Sequence, residues 1–198
     1  MKGMTLVETL ITISIFITIM VAVGTFEASV FSYQRSVSGS LETSTNAQAI
    51  FKTIMKEIRA MSPSATGTYP IVTAATNTIS FFSDINNDGS QEQVTYSLMG
   101  NTVYKAVIVP TGSPLSYSLA NQSTTSLVSN VRNSSSTPLL EYFDNTYNGS
   151  GSSLTQPVTL SAISLIRMNL TLDVDPNKSP TPVTYSANMS LRNLKTNL

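Results

Sequence analysis

The chain of 198 residues balances eleven Lys and Arg against eleven Asp and Glu, and its charged share of 11% is less than half of the ~25% usual for soluble domains. It contains neither Cys nor His, which excludes disulfide staples, Cys/His zinc centres, Cys-His and Ser-His-Asp catalysis, and the commonest general base. The length suits one domain, or one domain with an appended element, and the neutral average lacks the basic footprint of a nucleic-acid binder.

From Met4 to Val23 the chain reads MTLVETLITISIFITIMVAV, a predominantly apolar run whose length as a helix matches a hydrocarbon core of ~30 Å. The apolar residues surround the helix instead of forming one stripe, which favours a membrane span over a buried core helix. A cleaved signal peptide is the competing reading, since Lys2 precedes the run and Ala22-Val23-Gly24 resembles a small-x-small cleavage site. Two features oppose it: the apolar run is long and contains an acid, Glu8, and the helical pattern continues past the supposed cut. An ionisable group at mid-bilayer costs on the order of 3 kcal/mol. Glu8 therefore calls for a partner or, being near the helix end, for snorkelling to the interface.

Lys2-Gly3-Met4-Thr5-Leu6-Val7-Glu8-Thr9-Leu10 closely resembles the prepilin cleavage and methylation motif of type IV pilins and type II secretion pseudopilins. The resemblance implies that a membrane-embedded aspartyl peptidase cuts between Gly3 and Met4 and methylates the new N-terminus. It implies also that Glu8 serves assembly by pairing with a neighbouring subunit's N-terminus. The chain departs from the family in carrying Met4 where Phe is usual, and in a very short leader. A residue without a side chain suits the close fit of a peptidase beside the scissile bond. Lys2 would hold the leader on the cytoplasmic side and place the remainder outside.

Past Gly24 the apolar pattern thins to Val30, Val37, Leu41, Phe51, Met55 and Ile58, with Ser44 and Gln48 completing the spacing of an amphipathic helix. Lys52, Lys56, Glu57 and Arg59 crowd its last turns, and Met61-Ser62-Pro63 ends it. Gly24 and Gly39 mark places for a bend or a melted turn. Beyond Pro63, β-type runs at 78–82, 93–98, 102–109, 162–174 and 183–191 alternate with Ser, Asn, Gly and Pro. They predict an antiparallel sheet packed on the second half of the helix, with loop-rich stretches at 110–137 and 144–157. The fold class is thus α+β, divided into a cleaved leader 1–3, a transmembrane and assembly helix 4–24, an amphipathic stalk helix 25–62 and an extracellular β-rich domain 63–198. Leu127 to Val131, Leu140 to Asp144, Ser164 to Leu172 and Leu191 to Leu194 occur in an order that resembles the larger W-type minor pilins and the J-type pseudopilins.

Asp84-Ile85-Asn86-Asn87-Asp88-Gly89-Ser90-Gln91-Glu92 sets oxygen side chains at alternate positions with Gly after the third, as in the first half of an EF-hand loop. Asp84, Asn86, Asp88, Ser90 and Glu92 are the candidate calcium ligands, and Thr95 stands where the full loop needs a bidentate acid. Completion would require another carboxylate, such as Asp144 or Asp173. A plain hairpin turn built of Asn, Asp and Gly accounts for the same residues without metal. Sequons at Asn121, Asn133, Asn148, Asn169 and Asn188 are expected by chance in an Asn/Ser/Thr-rich chain, and Arg132, Arg167, Arg192 and Lys195 show no clustering along the sequence. Nucleic acid is not predicted as a partner.

The resemblance implies a structural subunit, a minor pilin or pseudopilin, with no enzymatic activity. Its partners would be other pilin or pseudopilin subunits, the prepilin peptidase, the inner-membrane assembly platform and membrane lipid. It would begin in the cytoplasmic membrane with its C-terminal domain outside and end in a surface or periplasmic filament. The alternatives are a membrane-anchored extracellular binding domain that never polymerises and a secreted carboxylate-dependent enzyme.

Overall fold

The structure, a computed structural model, describes residues 4–173 and 182–191, with the side chains of residues 35, 36 and 39–44 excepted. One helix, α1, runs Leu6–Arg59 for 54 residues, which corresponds to a rod of ~80 Å. It passes Gly24 and Gly39 without a melted turn. Ala60 caps its C-terminus, with Lys56 and Arg59 in the last turn where cations suit the helix dipole.

The two halves of α1 have different chemistry. An eighteen-residue stretch of Leu6–Gln34 has a mean hydropathy of 2.4 and none of it is buried, so the protein has a helix long and apolar enough to cross a membrane. Its hydroxyls do not spoil that property, because each from Thr9 to Ser29 bonds back to a carbonyl of the preceding turn. Thr9 donates to Leu6, Thr12 to Glu8, Ser14 to Leu10, Thr18 to Ser14, Thr25 to Ala22 and Ser29 to Thr25. Polar groups satisfied within the helix need nothing from lipid.

The second half packs on the β domain through Ala47, Phe51, Ile54 and Ile58, with Met61 just beyond. These residues are three or four apart and lie on one face. The sequence reading placed the stripe through Ser44, Gln48, Phe51, Met55 and Ile58. Phe51 and Ile58 hold, but Gln48 is exposed and Met55 half-buried, because the small Ala47 and the branched Ile54 fit the close approach instead. Leu41 and Ser44 lie outside the described side chains.

Two antiparallel sheets take the place of the single predicted one. The first is a five-stranded meander of β1 Ile71–Ala75, β2 Thr78–Ser83, β3 Glu92–Met99, β4 Thr102–Ile108 and β5 Gln122–Val128. The second is a three-stranded meander of β6 Leu140–Phe143, β7 Leu165–Leu172 and β8 Val183–Ser190. β7 alternates as a half-covered strand should, burying Ile166, Met168, Leu170 and Leu172. β2 is buried from Ile79 to Ser83 on both faces, since α1 and its neighbours cover one side and the segment after β4 folds over the other, seating Tyr117 4.9 Å from Phe82 between ring centres. The sheets meet at the β1–β2 turn, where Tyr142 Oη donates to the Ala75 carbonyl at 2.9 Å and the Leu140 N–H to that of Thr76 at 2.9 Å. A bridge between Val131 and Leu172 joins them again.

A polar clamp fixes the helix against the first sheet. The Glu57 carboxylate, 12% exposed, accepts from Tyr96 Oη at 2.6 Å and from Lys105 Nζ at 2.7 Å. The main chain adds Ser83 Oγ on the Glu57 carbonyl at 3.2 Å, and Arg59 reaches the Asn188 carbonyl at 3.2 Å on the other sheet.

Candidate functional site

Of the residues singled out at the N-terminus, Gly3 lies outside the described residues, while Met4 is exposed just ahead of the helix. Glu8 sits at the third helical position and forms a capping box with Thr5. The Thr5 Oγ1 accepts the Glu8 N–H at 3.3 Å, and Glu8 Oε2 accepts the Thr5 N–H at 2.8 Å and the Thr5 hydroxyl at 3.0 Å. The carboxylate thus satisfies a backbone donor at the positive end of the helix dipole. Sequence reasoning quoted Thr5 within the motif but missed its capping role, although Thr-x-x-Glu before an apolar run is the signature of this box.

The Asp84-to-Glu92 segment connects β2 to the start of β3, as the hairpin reading expected. Asp84 turns its two oxygens onto the N–H groups of Asp88 at 3.2 Å and Gly89 at 3.0 Å. Asn86 Oδ1 accepts the Asp88 N–H at 3.0 Å, its Nδ2 donates to Asp88 Oδ2 at 2.7 Å, and Asp88 Oδ1 takes the Ser90 N–H at 2.7 Å. The Ser90 N–H and the Asn86 amide hold the Asp88 carboxyl below its ordinary range. The chain can coil this tightly because Asn87 and Gly89 adopt φ of 60° and 88°, a region open to Gly and tolerated by Asn.

Glu92 is 1% exposed. Its Oε2 accepts the Ile85 N–H at 3.1 Å, and its Oε1 is buried without a hydrogen-bond partner. Thr95 is turned away on the Ser80 hydroxyl at 2.8 Å. Neither carboxylate suggested for completing the loop does so: Asp144 is held by Thr146 in its own turn, and Asp173 is buried beside Asn130 at the end of β7. No group of three or more His, Cys, Asp or Glu able to hold a metal ion is found among the described residues, so the three acids of the loop are not a cage by themselves.

Arg167 lies in the second sheet with its guanidinium 4.7 Å from the Phe143 ring centre, bonded to Tyr147 Oη and to Asn188 Oδ1 at 3.0 Å, and paired with Glu141 at 3.6 Å. It is engaged by these partners while staying half-buried. Arg192 and Lys195 lie outside the described residues.

No family model matches the chain, and no curated protein matches it.

Proposed function

We propose that this chain is a structural subunit, a minor pilin or pseudopilin, of a type IV pilus-like or type II secretion-like filament. It enters the inner membrane through the first half of α1, is cut between Gly3 and Met4, and polymerises through that same helix. The observation that carries the reading is the division of α1. A fully exposed apolar half opens on a carboxylate, and the other half is committed to the core of a β domain. An anchor that served only to hold a domain on a membrane needs no charge at its start, since Gln closes the same capping box, whereas a helix that transfers from lipid into a bundle of its own kind can use a carboxylate to set register.

Glu8 supports this role by position. Its Oε2 already reaches the Thr5 N–H, one residue from the Met4 nitrogen. Cleavage after Gly3 would turn that nitrogen into an ammonium beside the carboxylate. In a filament, the same carboxylate can exchange its own N-terminus for that of a neighbour.

The test is the mature N-terminus, read by mass spectrometry after expression in a cell that has a prepilin peptidase. A chain beginning at Met4, blocked from forming by a bulky residue in place of Gly3, is the expected result. An intact Met1 overturns the proposal in favour of an anchored binding domain. A start at Thr25 marks a cleaved signal peptide and a secreted protein.

A further inference from the structure

We propose that the β2–β3 connection is a calcium site in which the buried carboxylate of Glu92 is a ligand, joined by the side-chain oxygens of Asp84, Asn86 and Asp88 and by Ser90. The inference starts from Glu92, not from the acidity of the loop. A carboxylate oxygen that is nearly inaccessible and lacks a donor carries an unrecovered desolvation cost. Its twin oxygen lies on the Ile85 N–H, which fixes the carboxylate at the base of the same loop that carries the other four residues.

Those residues supply only oxygen, the donor set of calcium and not of zinc or copper. The main-chain bonds to Asp84 and Asp88 use one lone pair on each oxygen concerned and leave others for an ion. Asp84, Asp88 and Glu92 do not make a metal group on their own; calcium takes six to eight oxygens of mixed kind, and the oxygens of Asn86 and Ser90 supply the neutral share. Charge also needs an outside source. No Lys or Arg occurs between Arg59 and Lys105, and the ion pairs Lys105–Glu57 and Arg167–Glu141 leave the loop acids aside. Glu92 thus takes over from inside the fold the part that the twelfth-position acid plays in a full EF-hand loop, where Thr95 is bonded elsewhere.

The site is independent of processing and of filament assembly, so it is tested on the full chain in detergent micelles, stripped with chelator and titrated with calcium chloride. Calorimetric titration should show one site per chain, in the range of about 10⁻⁴ to 10⁻³ M seen for extracellular modules. At about ten times the dissociation constant the melting temperature should rise by roughly 3–6 °C. Asp88→Asn, a surface change, should weaken binding at least tenfold. Glu92→Gln should abolish the calcium-dependent rise while melting no lower than the calcium-free wild type, because it removes a buried charge whose Oε1 has no donor of its own. Two results overturn the proposal: no heat and no shift in the wild type at 10 mM calcium, or a shift of equal size in both variants.

Discussion

At the scale of single residues, Glu8 combines a local duty with the proposed assembly role, and the two can be separated by substitution. Gln can replace Glu in a capping box, whereas Leu cannot. If the charge matters, Glu8→Gln and Glu8→Leu should both leave insertion and cleavage intact and both be depleted from sheared filaments relative to processed protein in the membrane. If Glu8→Gln enters filaments like wild type, capping alone accounts for the residue and charge pairing is wrong. Glu8 was legible because a carboxylate in an apolar run stands out. Its partner Thr5 was read as part of the motif but not as the helix cap, since a hydroxyl among many in this span does not announce that role. The orphan oxygen of Glu92 is a different case: spacing marks the residue as a ligand candidate, but only folding reveals that one oxygen is left without a donor.

At the scale of elements, the Glu57 clamp joins the last turn of α1 to β3 and β4. Removing one partner of a mostly buried pair strands the other, at a cost of ~3–5 kcal/mol. Lys105→Met should approach the lower end of that range, because Tyr96 still donates to Glu57, and chemical denaturation would measure it. Burial raises the Tyr96 hydroxyl well above its ordinary value, with the Glu57 carboxylate adding to the effect, and burial raises Tyr142 as well. A folded-state pKa above the unfolded one gives stability that is complete below about pH 10, the ordinary tyrosine value, and is lost as pH climbs beyond it. Denaturation followed from pH 8 to pH 11 should therefore show stability falling only above about 10, and less steeply in Tyr96→Phe. Strands β2, β3, β4, β7 and β8 were readable from their apolar or alternating runs. β5 was taken for loop because Gln122 to Ser126 are all exposed: an edge strand made of hydroxyl and amide residues owes its conformation to pairing with β4 and carries no pattern of its own. β6, with four residues, is too short to show a period. Ala47 escaped the helix stripe because Ala reads as neutral, although its small size is what lets the helix approach the sheets.

At the scale of the whole molecule, the exposed half of α1 sets where the protein can reside. Glu8 and Glu27 bracket its apolar stretch at a separation of roughly 28 Å along a helix axis, close to the ~30 Å of a hydrocarbon core. A charge placed between them should oppose insertion. Ile17→Arg should cost about 2.5–3.5 kcal/mol at mid-span and move protein out of the carbonate-resistant membrane fraction, where the wild type should remain. The division of α1 has a further, mechanical meaning. Among the described side chains of the helix, burial begins only at Ala47, so a pull between the membrane end and the β domain runs along the axis through about three and a half turns. The apolar stripe and the Glu57 clamp are then strained in shear, side by side, and must yield together. Such an attachment resists tension better than the same contacts opened one after another from an end, and its lifetime under force is set by the rate of that joint rupture.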